Sequence, residues 1–283
     1  MLRAIEIVAQ IAPRAFANYT RAFDAGDAAF QRFAITTPLR LAHFLAQALY
    51  ETGGGTVLFE NLSYTTAARL LQIFGVGHHS AAIRPEEAPG LLNNPQALAE
   101  RVYGLGNPAK AAELGNRLPG DGFRYRGGGL LQTTGGGNYQ RLGDKIGVDL
   151  HGQPDLIVDP ANALLPALHE WDEGHLNDAA DRNDIRTITR VINGGFNGID
   201  GRQAYFERIW AIAGGSAPVP AWQAAAIDND TVWLQTALNN LGATTCPSGR
   251  TRCHRAWADW WPEWSTRPTR PRRTVSPRKV EWP

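Results

Sequence analysis

The sequence predicts a mostly helical α+β protein, and three observations carry that prediction. Apolar residues recur at helical intervals along most of the first 213 residues. Strand-like patterns are short and confined to about residues 123–133, beside a glycine-rich segment. Hydrophobic residues make up 43% of the chain, which is enough for a substantial core. This combination is typical of helices that surround a small sheet or hairpin beside a cleft.

The helical spacing predicts the following elements in chain order. They span residues 2–12, 14–33, 38–51, 65–73, 95–104, 108–115, 138–146, 160–178, 184–192 and 201–213. The clearest is 38–51, where Leu41, Phe44 and Leu45 share one face and Glu51 falls on the opposite, polar face.

Two glutamates flank a glycine triplet at the end of that helix. Glu51 precedes Gly53, Gly54 and Gly55, which stop the helix and leave the Glu51 carboxyl group at the negative end of the helix dipole. Glu60 follows nine residues later, where a short loop can bring it back toward Glu51. Two carboxyl groups, one holding a proton and one ionised, are what cleavage of a glycosidic bond needs. Alternatively, Glu51 is a solvated residue at a helix end and Glu60 a surface charge.

A second informative segment, residues 124–139, reads RYRGGGLLQTTGGGNY. Its six glycines between 127 and 137 predict backbone held close to a ligand or to another strand. The amides of Gln132 and Asn138 both donate and accept, which suits sugar hydroxyl and N-acetyl groups. Amides in such a loop also close turns. A phosphate-binding loop is disfavoured because no Gly-Lys-Ser/Thr follows.

Four segments together resemble the ordered blocks of the family 19 glycoside hydrolases. They are YETGG at 50–54, ENLSY at 60–64, the glycine-rich segment at 124–139, and VINGGFNGIDGRQAYF at 191–206. Blocks in the right order are more specific than any one alone. The pattern is most similar to the bacteriophage endolysins of this family and more distant from plant-type chitinases. The resemblance covers residues 1–213 and implies a lysozyme-like catalytic domain.

The resemblance also implies roles for individual residues. Glu51 stands where the family has its general acid, and Glu60 where the endolysin branch has its second carboxylate. Asn193 matches an asparagine that holds the attacking water or the substrate, and Arg202 matches an arginine that pairs with active-site carboxylates. The positions that contact sugar in the family are occupied by Gln132, Thr134 and Asn138.

Three positions depart from the family pattern. Gly128 stands where arginine is expected, Thr133 where an aliphatic residue is expected, and Gly136 where arginine is frequent. The missing basic groups weaken the expected contacts with an anionic polymer, but they leave the chemistry intact. Tyr125 is a further candidate for sugar contact, although a half-buried aromatic residue also serves packing.

Composition limits cofactors, compartment and partners. The seven histidines show no metal-ligand spacing, so neither a metal nor another cofactor is expected. No apolar run is long enough to span a membrane, and the interrupted N-terminus is a poor signal peptide. Cys246 and Cys253 both lie near the C-terminus, which favours synthesis in a reducing cytoplasm. We therefore expect a monomer made in the host bacterial cytoplasm that reaches the cell wall after release.

A change in composition at residues 214–220, GGSAPVP, predicts a domain boundary. The expected organisation is a catalytic domain over 1–213, a linker over 214–230 and a C-terminal segment over 231–283. Residues 231–242 look like the first helix of a peptidoglycan-binding module whose second half is absent. The remainder carries eight arginines and five of the nine tryptophans. It is either a basic, aromatic arm for an acidic polymer or the disordered remnant of a module that lost its reading frame.

The activity implied is endolysin-like hydrolysis of β-1,4 bonds in peptidoglycan glycan strands, with inversion of the anomeric centre. Glu51 would protonate the leaving oxygen while Glu60 activates a water molecule. The expected partner is peptidoglycan or a chitin-like polysaccharide, and a chitinase is the alternative enzyme. From a different class, the chain would be a non-catalytic glycan-binding protein that retains the cleft. Specific nucleic-acid binding rests only on the basic C-terminal segment and is not expected.

Overall fold

The computed structural model of the chain describes residues 3–213, which form α-helices joined by short loops. In chain order the helices are α1 (Ala4–Ile11), α2 (Ala17–Arg21), α3 (Gly26–Arg32), α4 (Pro38–Glu51), α5 (Ala67–Phe74), α6 (Ala88–Leu91), α7 (Pro95–Tyr103), α8 (Pro108–Leu114), α9 (Asp121–Arg124), α10 (Gly136–Ile146), α11 (Leu164–Glu173), α12 (Leu176–Asp181), α13 (Ile185–Asn193) and α14 (Ile199–Ile212). A 3-10 helix, Pro154–Val158, lies between α10 and α11.

Helix α4 is the central element of the larger core. Thr37 caps its start by accepting a hydrogen bond from the Arg40 backbone N–H at 3.2 Å, and Pro38 occupies the first helical position. The helix is buried from Leu41 to Leu49 and packs most extensively against α14. Its bounds are those that the apolar spacing predicted.

Buried apolar residues within 3–213 form three clusters. The first core cluster joins α1, α3, α4 and α11–α14, with the Phe44 ring 5.5 Å from Trp171 in an edge-on contact. The second core cluster contains Leu62, Leu70, Leu98 and their neighbours on α5–α7. The third surrounds Tyr125, Tyr139, Leu142, Leu150 and Ile157. The loop after α4 and the glycine-rich segment carry the candidate site and run between these clusters.

The mostly helical fold class is confirmed, with its β-structure reduced to isolated bridges among the described residues. Gly128 pairs in an antiparallel bridge with Phe59 and in another with Thr133, and Gly75 pairs with Ile83. Extended strands do not form at 123–133 because α9 occupies the start of that segment, and three consecutive glycines and the left-handed Gln132 interrupt the rest. The bridges nevertheless bring the Glu60 loop against the glycine-rich segment.

Two predicted helices are each split into two. The segment 14–33 forms α2 and α3, and 160–178 forms α11 and α12. The second break lies at Gly174 and His175, where His175 adopts a left-handed backbone with φ 50°. Apolar periodicity continues through such breaks because the flanking helices share one core. The short helices α6 and α9 were not predicted, since four residues carry no readable period.

The boundary at 214, the linker over 214–230 and the segment 231–283 lie outside the described residues. Within residues 3–213, no helix combines the length and apolarity that a membrane span requires.

Candidate active site

Glu51 ends α4 and is held by a buried arginine. The Arg202 side chain on α14 is only 1% exposed, and its Nη2 donates to Glu51 Oε1 at 2.5 Å. Its Nη1 donates to Gln47 Oε1, and its Nε donates to the Asn197 carbonyl at 3.4 Å. The guanidinium also lies over the Tyr50 ring, 4.6 Å from its centroid. This network fixes the orientation of the Glu51 carboxylate through a charge-assisted hydrogen bond.

The glycine triplet makes the turn that leads from Glu51 to Glu60. Gly53, Gly54 and Gly55 all have positive φ, between 53° and 77°. A Cβ atom at Gly55 would lie 2.6 Å from the Tyr19 ring, so a larger residue does not fit there. The Thr52 hydroxyl accepts from the Gly55 backbone N–H at 3.1 Å and tightens the turn. The sequence therefore builds a compact reversal directly after the first glutamate.

Glu60 occupies a different environment. Its backbone N–H donates to the Gly127 carbonyl at 2.8 Å, and the Tyr103 hydroxyl donates to its Oε1 at 2.9 Å. Burial raises the pKa of Glu60, while Tyr103, a backbone hydrogen bond with Gly127 and the charge of Arg126 act to lower it. The net result is a raised pKa, which works against the role of base that the resemblance implies for Glu60, and that role stays a prediction.

Three predicted site residues converge on Gly127. A Cβ atom at this glycine would lie 3.1 Å from Gln132 Oε1, 3.4 Å from Thr134 Oγ1 and 3.5 Å from Glu60 Cβ. A side chain at Gly127 would crowd all three residues, so glycine lets them pack around this point. The Thr134 hydroxyl donates to the Gln132 carbonyl at 3.0 Å, which leaves its oxygen able to accept.

Gln132 also has a structural role. Its backbone is left-handed, with φ 55°, and its Nε2 lies 3.2 Å from the Gly129 carbonyl. The same amide nitrogen lies 3.4 Å from the Val57 carbonyl and 3.5 Å from that of Leu58. The side chain therefore ties the glycine-rich segment to the loop before Glu60. A left-handed backbone in a residue other than glycine carries strain, which is found most often at functional sites.

Asn138 and Tyr125 are engaged within the protein. Asn138 donates to the Thr134 carbonyl at 2.8 Å and accepts from Arg141, so its amide closes a turn at the start of α10. Tyr125 is 2% exposed, its hydroxyl donates to the His151 carbonyl at 3.0 Å, and its ring stacks on the His151 ring. Full burial of Tyr125 corresponds to the packing interpretation and not to direct contact with sugar.

Asn193 is the last residue of α13. Its Nδ2 is buried and has no acceptor among the described residues. A buried donor without an acceptor costs free energy. Contact of this amide with a sugar or a water molecule is what the resemblance implies, and it stays a prediction.

Sequence reasoning missed one carboxyl group near the site, that of Glu170 on α11. The Thr133 hydroxyl donates to its Oε1 at 2.7 Å. Burial raises the pKa of Glu170 to about 7, and the charges of Glu173 and Glu51 add to this while Thr133 and Arg141 oppose it. The available signal was Thr133 itself, a polar residue at a position where the family pattern has an aliphatic one.

The described residues contain no cluster of three histidine, cysteine, aspartate or glutamate side chains that is suited to a metal ion. What they contain is an arginine-bound glutamate and a second glutamate, joined by a glycine turn and facing amide and hydroxyl groups. Two carboxyl groups in different surroundings are what most glycoside hydrolases use for catalysis.

Comparison with known proteins identifies the family. No protein-family model matches the chain. A glycosyl hydrolase family 19 domain-containing protein of Haemophilus influenzae is 32% identical over 182 residues, which cover 64% of this chain and 83% of that protein. The chain belongs to glycoside hydrolase family 19 and is a glycoside hydrolase.

Other relatives agree in family or in fold. Chitinase 8 of rice, Oryza sativa, is 32% identical over 106 residues, which cover 30% of this chain and 41% of that protein. A crystal structure of a bacterial family 19 chitinase shares the fold at a TM-score of 0.50 and 22% identity, over 76% of this chain and 96% of that one. A mutant of chitinase C also matches at a TM-score of 0.50, with 20% identity over 75% of this chain and 77% of its own.

Proposed function

We propose that this glycoside hydrolase cleaves β-1,4 bonds in the glycan strands of bacterial peptidoglycan, as an endolysin-type enzyme that inverts the anomeric centre. The observation that carries the proposal is the presence of two glutamates joined by one glycine turn, and the assignment of acid and base to them follows the family resemblance. Glu51 is bound by the buried Arg202, and Glu60 lies beside Thr134 and Gln132 at Gly127. Inverting glycosidases need two carboxyl groups with different roles.

In the proposed mechanism Glu51 is the general acid and protonates the glycosidic oxygen. Negative charge develops on its carboxyl group as the proton leaves, and Arg202 is already oriented to stabilise that charge. The arginine thus acts more strongly on the transition state than on the protonated ground state, which is what catalysis requires.

Glu60 is the general base in this mechanism and takes a proton from the attacking water. The Thr134 oxygen can accept a hydrogen bond from that water, and the resemblance implies that Asn193 helps to hold the water or the neighbouring sugar. Room for a water between the carboxyl groups calls for a separation of about 6.5–9.5 Å in the substrate complex. The reaction uses no cofactor.

Chitin hydrolysis is the second candidate, because the rice relative and the solved structures of similar fold are chitinases. The choice of peptidoglycan rests on the endolysin-like sequence blocks. To test this, the protein is incubated with isolated peptidoglycan and, in a parallel reaction, with chitin oligomers. Glu51→Gln is the inactive control. Wall clearing with little chitin cleavage supports the proposal, and the reverse pattern selects the chitinase.

The same proposal has the enzyme made as a monomer in the host bacterial cytoplasm. It would reach the wall after another lysis protein opens the membrane. Light scattering of the purified protein tests the monomer, and fractionation of cells before and after membrane opening tests the location.

A further inference from the structure

Tyr103 links the Glu60 carboxyl group to a rigid part of the protein. It is the last residue of α7, and its hydroxyl donates to Glu60 Oε1 at 2.9 Å. The residue is held in turn by its own backbone, because its carbonyl accepts from Asn116 Nδ2 at 2.9 Å. Asn116 Oδ1 accepts from the Gly136 backbone N–H at 2.8 Å. A chain of hydrogen bonds therefore runs from Glu60 to the first residue of α10.

The support behind Tyr103 is buried. Leu98, Ala99 and Val102 on α7 are fully buried in the second core cluster, and Asn116 is 3% exposed. Glu60 itself lies in a loop between α4 and α5, outside any regular element. A side chain on a loop keeps a productive orientation best when a group on a rigid element fixes it.

We propose that Tyr103 is a positioning residue for Glu60: it orients the carboxyl group and donates the hydrogen bond that favours its ionised form. This inference rests on the proposed function, in which Glu60 must be ionised in order to accept a proton from water. Burial removes the solvent that would stabilise the ionised carboxylate, and the hydrogen bond from Tyr103 replaces part of that stabilisation.

The charges and titratable groups around Glu60 fit this role. The charge of Arg126, which follows α9, favours the carboxylate, and Tyr64, which precedes α5, is close enough for the charge of Glu60 to affect it. Burial raises the pKa of Tyr64 to about 12, with the charge of Glu60 adding to the effect. Burial and the neighbouring Glu60 also raise the pKa of Tyr103 well above its usual value. Tyr103 therefore remains a hydroxyl donor throughout the pH range in which Glu60 titrates.

The test compares pH profiles of kcat and kcat/KM for the wild-type protein and Tyr103→Phe. Removing the donor raises the pKa of Glu60, so the acidic limb should move to higher pH. Because a hydrogen bond to a charged group contributes roughly 1.5–3 kcal/mol, kcat should fall on the order of 10-fold or more, with KM little changed. Tyr205→Phe is the matched control, since Tyr205 is a partly buried tyrosine that packs against the first core cluster.

A second readout does not depend on turnover. Titration of the Glu60 side-chain carboxyl carbon by carbon-13 NMR should give a higher pKa in Tyr103→Phe than in the wild-type protein and no change in Tyr205→Phe. An unmoved pKa and an unmoved acidic limb would overturn the positioning role, even if Tyr103→Phe lowers thermal stability. The proposed function fails separately, if Glu60→Gln retains turnover.

Discussion

The two halves of the catalytic pair are built in contrasting ways. Glu51 ends a capped helix of 14 residues in the first core cluster, and its partner is a buried guanidinium charge. Glu60 lies in a loop against the glycine-rich segment, and its direct side-chain partner is a neutral hydroxyl on the edge of the second core cluster. The guanidinium orients the Glu51 carboxyl group through a charge-assisted hydrogen bond, whereas burial raises the pKa of Glu60 despite its hydroxyl donor, which works against the base role proposed for Glu60. The two glutamate side chains thus differ in their properties because their surroundings differ.

The largest effect that this contrast predicts is on Glu51. Glu51→Gln removes the transferable proton but keeps a hydrogen-bond acceptor for Arg202, so the fold should persist. Turnover should fall by about 10²–10⁴-fold, the usual contribution of general acid catalysis. Steady-state kinetics on soluble oligosaccharides measure the change, and Glu113→Gln, in an exposed ion pair with Lys110, is the control. Near-normal turnover in folded Glu51→Gln would remove Glu51 from the mechanism.

The second prediction concerns the charge that distinguishes the Glu51 side. Arg202→Met leaves the Glu51 carboxylate and the Gln47 amide without their donor inside the core. Breaking a buried pair from one side costs about 3–5 kcal/mol, and the partial exposure of Glu51 places the expected loss near 3 kcal/mol. Urea unfolding measures it, with the exposed Arg190→Met as control. If both variants lose the same small amount of stability, the ion pair does not hold this side of the site.

The third and smallest effect is the pH dependence of stability that Glu170 produces. Burial raises the pKa of Glu170 from 4.5 to about 7 in the folded protein. Between these two pH values the folded protein keeps a proton on this group that the unfolded chain has lost. Stability contributed by this group therefore falls as pH rises from 4.5 through 7. Glu170→Gln does not titrate, so relative to the wild-type protein it should gain roughly 2–3 kcal/mol between pH 4 and pH 8.

Glu173 on the same helix supplies a control of opposite sign. Burial acts to raise its pKa, but Lys145 and Arg141 outweigh burial and lower it. Its contribution to stability is therefore present above pH 4.5 and lost as pH falls below it, so Glu173→Gln should lose stability relative to the wild-type protein as pH rises toward 4.5 and stay level above that, where Glu170 titrates. Urea unfolding at several pH values separates the two. A constant difference between Glu170→Gln and the wild-type protein across this range would contradict the assignment of a raised pKa.

The sequence predicted the Glu51 side of the site better than the Glu60 side. The helix 38–51 was readable because its apolar period, threonine cap and glycine stop all act within a few residues of one another. Gly127, Gln132 and Thr134 meet Glu60 across more than 60 residues of chain, and only the resemblance to family blocks brought them together. The spacing of residues along a short stretch of chain does not indicate such long-range contacts.

Other features were beyond the reach of sequence patterns for related reasons. Tyr103 stands 43 residues from Glu60 in a helix that reads as ordinary core, so nothing local marks its hydroxyl. Glu170 lies among several acidic residues on α11, and only its contact with Thr133 distinguishes it. The burial of Tyr125 depends on stacking against His151, which lies 26 residues further along the chain. Burial of polar groups is decided by tertiary packing.

The stereochemistry of the first product tests most directly the division of roles between the two glutamates. Proton NMR follows hydrolysis of a soluble β-linked oligosaccharide during the first minutes, before mutarotation mixes the anomers. If Glu51 is the acid and Glu60 activates water on the opposite face, the first product is the α-anomer. A β-anomer would mean retention, which needs a nucleophile about 5–5.5 Å from the acid or help from the substrate's own N-acetyl group. That result would contradict the role of Glu60 as the base.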